Sequence, residues 1–351
     1  MQEFIIPMPQ QCGCAVGVEI SAVLFGQASP RHGSPLSLDS SFGTKLARTT
    51  KEKQIMHQLD IFADSVPVQR ANDLSAALTN LDRTASRQAM HYLIAADPHH
   101  AGLPRYKILC DFVDHWADNR NDPDWPCTHA DIAAEVQLIR EQIIPAATIV
   151  GNAGVDMARQ CWGILAKASE RVGIAPEHND YFAAELYVHA QQFHDVVQTA
   201  QRIPGAEMRA AVQRWLGLGY YGCGETEQAW RAVLRYAWLA PQRFNAFVDE
   251  IGDAQLARDW DNFQADLGDL DATWFPAWCA HEKKADISIV DNVPIIDGGM
   301  AYRLVTNLVI RERGGLCRAV YEDRSRLKRL DESFFAFYMK RRADLLARTK
   351  N

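Results

Sequence analysis

From about residue 69 onward, apolar residues recur every three or four positions, the spacing that builds one face of an α-helix. Residues 69–81, QRANDLSAALTNL, place Ala71, Leu74, Ala77, Leu78 and Leu81 on one stripe. The same pattern continues through TASRQAMHYLIAADP and stops at Pro98. Residues 102–119 gather Leu109, Phe112, Val113 and Trp116 on one face, and the turn cluster DPDWP follows. Thr128 and Asp131 then form a capping-box-like start for THADIAAEVQLIREQII, which Pro145 is expected to close. Further helices are predicted at 153–172, 178–201, 206–221, 225–240, 253–267, 300–313, 315–330 and 333–348. The one strand candidate is ISIVDNVPII at 287–296, interrupted by Pro294. The pattern predicts an all-α protein with at most that one short β segment.

One stretch has a repeat spacing. In WLGLGYYGCGETEQAWRAVLRYAWLAP, Leu216-Gly217, Tyr220, Gly224, Ala229, Val233 and Pro241 fall at fixed intervals. This resembles the 34-residue tetratricopeptide repeat (TPR), in which two antiparallel helices cross closely through small residues. The resemblance covers one unit, at about 208–241. A weaker echo lies at 300–331, where Gly314 and Ala319 match but Asn307, Ile310 and Asp331 replace the usual residues. It implies an α-α helical-repeat array, either a right-handed superhelix or a compact helical bundle, with several units, because one pair cannot bury its apolar face alone. It also implies that the first helix of each pair lines a groove for a polypeptide. In the matching unit the groove positions would be Arg214, Leu218 and Tyr221, with Arg214 holding a carboxylate bidentately and Tyr221 offering a stacking surface.

The first 55 residues differ from the rest. GQASPRHGSPLSLDSSFGT is rich in Gly, Pro and Ser without helical periodicity. Residues 1–55 are read either as a disordered tail or as upstream DNA translated in frame before a start at Met56. The helical-repeat domain then occupies 56–351, with a subdivision placed near 280–298. The eight cysteines are scattered and include no C-x-x-C, which fits buried thiols of a reducing cytoplasm better than a disulfide framework. No apolar run is long enough to cross a bilayer, and no signal peptide is recognised.

The charge distribution sharpens the picture more than the net charge of -7 does. Residues 248–271 hold eight acidic residues and one basic residue, while 303–351 hold 13 basic and 6 acidic residues. The basic end is expected to pack as a closing helix, to pair with the acidic segment, or to contact nucleic acid.

Candidate chemistry is sparse. Gly217-Leu218-Gly219-Tyr220-Tyr221-Gly222 matches the dinucleotide fingerprint G-x-G-x-x-G. Yet AEMRAAVQRW before it reads as helix, not strand, and no acid lies some twenty residues beyond it. The match is therefore read as accidental, and no cofactor or metal is assigned. His189 and His194 stand five apart, the wrong spacing for a shared metal on one helix. Asp111 and His115, four apart, could form a base-orienter pair, with a surface ion pair as the plainer account. The leading expectation is a cytoplasmic, non-enzymatic scaffold that binds a protein partner through a helical groove. The alternatives are a helical enzyme using Asp111 and His115 with a third group, and nucleic-acid binding through 303–351.

Overall fold

A computed structural model describes residues 65–119, 125–282, 290 and 292–348. The expectations for residues 1–55 and Met56 lie outside that range. Helices follow one another from end to end: α1 (Val66–Thr79), α2 (Arg83–Ala96), α3 (Leu103–Asn119), α4 (His129–Leu138), α5 (Ile144–Val150), α6 (Asn152–Val172), α7 (Ala183–Ala190), α8 (Phe193–Gln201), α9 (Ala210–Cys223), α10 (Thr226–Leu239), α11 (Phe244–Ile251), α12 (Ala254–Leu267), α13 (Phe275–Glu282), α14 (Asp297–Arg311), α15 (Arg318–Leu330) and α16 (Glu332–Arg348). Among the described residues there is no strand. Of the expected β segment, 290 and 292–296 lie in irregular backbone and the rest is outside the described residues.

Each helix packs chiefly on its neighbours in sequence, most extensively α9 on α10, α6 on α7, α1 on α2 and α8 on α9. Short connections force antiparallel neighbours, so the apolar stripes meet pairwise and then stack. One core cluster runs from Ala71 to Ala232 and a second from Leu218 to Tyr338. They join at α9 and α10, which contribute side chains to both. The second cluster takes residues from both sides of 280–298, including Trp278, Val293 and Ala301.

Three local details differ from the sequence-based expectation. Pro145 does not end its helix. The chain widens into a π-turn at Ile139–Ile143 and continues through α5 to Gly151. A wider turn accommodates a ring that cannot donate an N–H and would clash with the preceding turn. The helix expected at 178–201 is two helices, broken at Gln191, which adopts a left-handed conformation (φ 57°). The Gln192 N–H donates back to the Tyr187 carbonyl at 3.0 Å, closing the helix without a glycine. Lastly, α11 and α13 are additional helices of eight residues each, α11 with Phe244, Phe247, Val248 and Ile251 on its buried face. The capping box at the start of α4 is present, with Thr128 and Asp131 each accepting the other's backbone N–H.

The unit at 208–241 is the helix pair α9–α10. Gly224 closes α9 in the left-handed region (φ 76°), and Ala229 and Val233 are fully buried. From the start of α9 at Ala210 to the start of α11 at Phe244 is 34 residues, whereas α7 to α9 is 27. The echo at 300–331 is the hairpin α14–α15 with a shifted register. There Gly315 takes positive φ and Val320 is the fully buried position, each one residue beyond Gly314 and Ala319.

Candidate functional site

The expected groove residues all lie on α9, and their surroundings decide what each can do. Helices α7, α9 and α11 lie side by side, and one guanidinium joins them. Arg214 donates through Nη1 to Glu185 Oε2 on α7 at 2.5 Å. Through Nε it donates to Glu250 Oε2 on α11 at 2.7 Å, and through Nη2 to Glu250 Oε1. The Trp215 indole N–H adds a 2.6 Å bond to Glu185 Oε2. The side chains of Arg214, Glu185 and Glu250 are only 24%, 11% and 20% exposed. Arg214 therefore presents no vacant fork to a partner's carboxylate, contrary to the expectation. It spends its planar donors on holding three helices in register.

The electrostatics follow from this geometry. Burial works against ionisation of Glu185, but the charges of Arg214 and its hydrogen bonds outweigh that, holding the carboxyl below its ordinary range. Arg214 loses solvation on burial too, and its two carboxylates raise its pKa above the usual arginine value. His189 stacks on Trp162 at 5.0 Å between ring centroids, with Nε2 3.5 Å from Glu185 Oε1. Burial lowers its pKa below the usual imidazole range. Arg140 and Arg214 act in the same direction, while Glu185 and Glu250 oppose them. With His189 neutral, the group Glu185–Arg214–Glu250 carries one surplus negative charge.

A pH dependence follows. As pH falls through about 6.5, an unfolded His189 takes a proton that the folded site resists, so stability declines. The decline continues until pH passes the lowered folded value. His189→Phe is expected to reduce the loss of urea midpoint over that window relative to wild type, and identical pH profiles would count against this account.

Leu218 is 3% exposed within the second core cluster, so it cannot serve as a surface contact. Tyr221 is half-buried; its hydroxyl is shielded and makes no hydrogen bond among the described residues. Burial, with Asp253 and Asp259 nearby, pushes its pKa up. The accessible face thus consists of the edges of His189, Arg214, Tyr221 and Glu250. Glu185 and Glu250 are absent from the sequence-based candidates, and His189 enters them only as a metal ligand set aside on spacing. Glu185 left one signal, a lone carboxylate inside the apolar run AAELYVHA, four residues before His189.

The dinucleotide match dissolves in packing. A Cβ on Gly217 would come within 2.7 Å of the Phe247 ring on α11, and one on Gly219 within 2.8 Å of Val197 on α8. Gly222 seats Phe193 of α8 and belongs to α9, not to the turn that follows it. These glycines admit neighbouring helices on two sides.

Asp111 and His115 do not come together. Asp111 accepts from Lys107 Nζ at 2.7 Å on the surface, while His115 Nε2 lies 2.9 Å from Glu135 Oε1 on α4. The buried Glu135 also accepts the Trp116 indole N–H at 2.8 Å. His189 and His194 sit on different helices, α7 and α8. Among the described residues, no group of three or more His, Cys, Asp or Glu side chains is arranged to hold a metal ion.

At the basic end, Arg341 reaches back to Asp266 of the acidic segment at 3.0 Å. Glu312 collects Arg324, Arg342 and the Tyr338 hydroxyl, and Arg311 pairs with Asp323 at 2.5 Å. Much of the positive charge is thus neutralised within the fold. Cys110, Cys161 and Cys279 are buried and Cys127, Cys223 and Cys317 exposed. Burial, with Asp114 and Asp111 close by, pushes the Cys110 thiol up to about 12. Maleimide labelling of the native chain is expected to modify Cys127, Cys223 and Cys317 and spare the three buried thiols. Labelling of Cys161 or Cys279 at a comparable rate would contradict the packing. No helix among the described residues is long and apolar enough to cross a membrane. Comparison of the chain with protein-family models, curated proteins and solved structures finds no match to any of them.

Proposed function

We propose that this chain is a TPR-like, non-enzymatic scaffold of the cytoplasm that binds a polypeptide along the face formed by α7, α9 and α11. The supporting observation is the Glu185–Arg214–Glu250 bridge, which joins the three helices α7, α9 and α11. Because Arg214 and Glu250 already occupy each other, the partner is left the edges of His189 and Tyr221 and the surplus negative charge of the cluster. The surplus negative charge favours a cationic side chain or a run of backbone N–H donors. The test is photocrosslinking from a reactive amino acid placed at Tyr221 in the native host, followed by binding of the captured polypeptide in purified form. Glu250→Gln and Tyr221→Ala are each expected to weaken that binding at least tenfold without changing the helical signal. Unchanged affinity in both variants would overturn the proposal.

A further inference from the structure

The C-terminal hairpin carries a second surface that the α7–α9–α11 face does not involve. Helix α15 is strongly basic, and its outer stripe holds Arg318, Tyr321, Glu322, Ser325 and Arg329. Together with Leu316 from the preceding turn, these residues form a wide-open depression of about 650 Å³ along the helix face. Two large apolar side chains stand in it half uncovered, Leu316 at 56% and Tyr321 at 55% exposure. Arg318 is 94% exposed, and the single carboxylate of the stripe, Glu322, is spent on it at 2.9 Å. Arg329 has no carboxylate partner among the described residues.

We infer that this groove is a docking site for an acidic peptide segment that carries an apolar side chain between two carboxylates. Charge complementarity selects the sign of the occupant, because Arg318, Arg326 and Arg329 against Glu322 and the Asp323 that pairs with Arg326 still leave a net positive charge. The apolar pair selects the middle of the occupant, since Leu316 and Tyr321 gain by losing water. Spacing selects its length. Arg318 and Arg329 are eleven residues apart on a helix, roughly 16 Å at 1.5 Å per residue. An extended peptide covers that distance in about five residues at 3.3 Å each. A single-stranded nucleic acid fits less well. It wants a series of aromatic platforms, whereas this stripe offers Tyr321 alone.

The experiment is fluorescence anisotropy on the purified full-length chain with a labelled, terminally blocked hexapeptide, Glu-Ala-Leu-Phe-Ala-Glu. Parallel probes carry Gln or Lys in place of both Glu, and a twelve-nucleotide oligouridylate tests the nucleic-acid class. The acidic peptide is expected to bind at least tenfold tighter than the other three probes and to weaken as salt rises. Arg329→Glu and Tyr321→Ala, both surface changes, are each expected to reduce its affinity at least fivefold with an unchanged thermal midpoint. Glu250→Gln, on the other face, is expected to leave it unaltered. Equal binding of the Gln peptide, tighter binding of the oligouridylate, or no binding of any probe would overturn the inference.

Discussion

Arg214→Met is expected to destabilise the chain by about 3–5 kcal/mol, the range for removing one partner from a buried ion pair. Methionine roughly matches the length of the arginine stem, so little packing is lost. What remains is two buried carboxylates facing each other across α9, with only the Trp215 N–H still donating to Glu185. The measurement is urea unfolding followed by circular dichroism. A companion triple variant, Arg214→Met with Glu185→Gln and Glu250→Gln, is expected to recover a large part of the loss, because the uncompensated charges are gone. A loss below about 1 kcal/mol for Arg214→Met would place the bridge among ordinary surface pairs.

The bridge also predicts an acid response. The folded pKa of Glu185 is depressed, so its stabilising contribution is complete above the ordinary carboxyl range. That contribution disappears as pH falls from the unfolded value through the folded one. Arg214→Met removes the cause of the depression and is expected to flatten this part of the acid unfolding profile. An unchanged slope would count against the assignment.

Gly219→Val is expected to be the other large change. Its Cβ would stand 2.8 Å from Val197, 3.2 Å from Val196 and 3.3 Å from the Phe193 carbonyl, all on α8. Two β-branched side chains and a backbone oxygen cannot turn aside cheaply, and overpacking costs about 1–3 kcal/mol or more. Gly224→Ala provides the contrast. Its Cβ would meet nothing within 4 Å, so only the left-handed backbone penalty of about 1–2 kcal/mol remains. A Gly219→Ala, Val197→Ala pair is expected to be more stable than the sum of the single changes, because the second substitution opens room for the first. The readout is again the urea midpoint. If Gly219→Val left stability intact, the close α8–α9 approach would not be the reason for the glycine.

The legibility of the fold varied along the chain for identifiable reasons. Helices α3, α6, α10, α12 and α16 were readable because each is long enough to show several turns of apolar spacing. Helix α13 was not, because its eight residues are apolar on nearly every side, whereas α11 does place Phe244, Phe247, Val248 and Ile251 at helical spacing and is legible in retrospect. The break at Gln191 escaped notice because left-handed closure is expected of Gly or Asn. The packing of Tyr187 and the fold around it hold a glutamine there instead. Pro145 misled in the opposite sense, since the π-turn before it absorbs the mismatch.

The candidate site was readable only in outline. The repeat-like spacing of α9 and α10 singles out Arg214, which lies at the centre of the polar cluster but is turned inward. Its two carboxylates lie 29 and 36 residues away in sequence, on helices that touch only after the array stacks. No local period links such positions, so neither Glu185 nor Glu250 could be assigned from spacing. The α15 groove has the same character. The basic excess of residues 303–351 was plain, but which arginines are neutralised depends on how α12, α14 and α16 pack around them.

By itself, the sequence determined the helical class, the α9–α10 helix pair out to Pro241, the capping box of α4 and the helical setting of Gly217, Gly219 and Gly222. These depend on neighbours within one or two turns, where spacing and backbone chemistry act directly. Only the tertiary structure decided what the glycines of α9 are for, where Arg214 points and which charges remain unspent. Those outcomes are set by residues brought together from different helices, and burial makes the choice: a charge or a Cβ is tolerated only where the facing helix leaves a partner or a space.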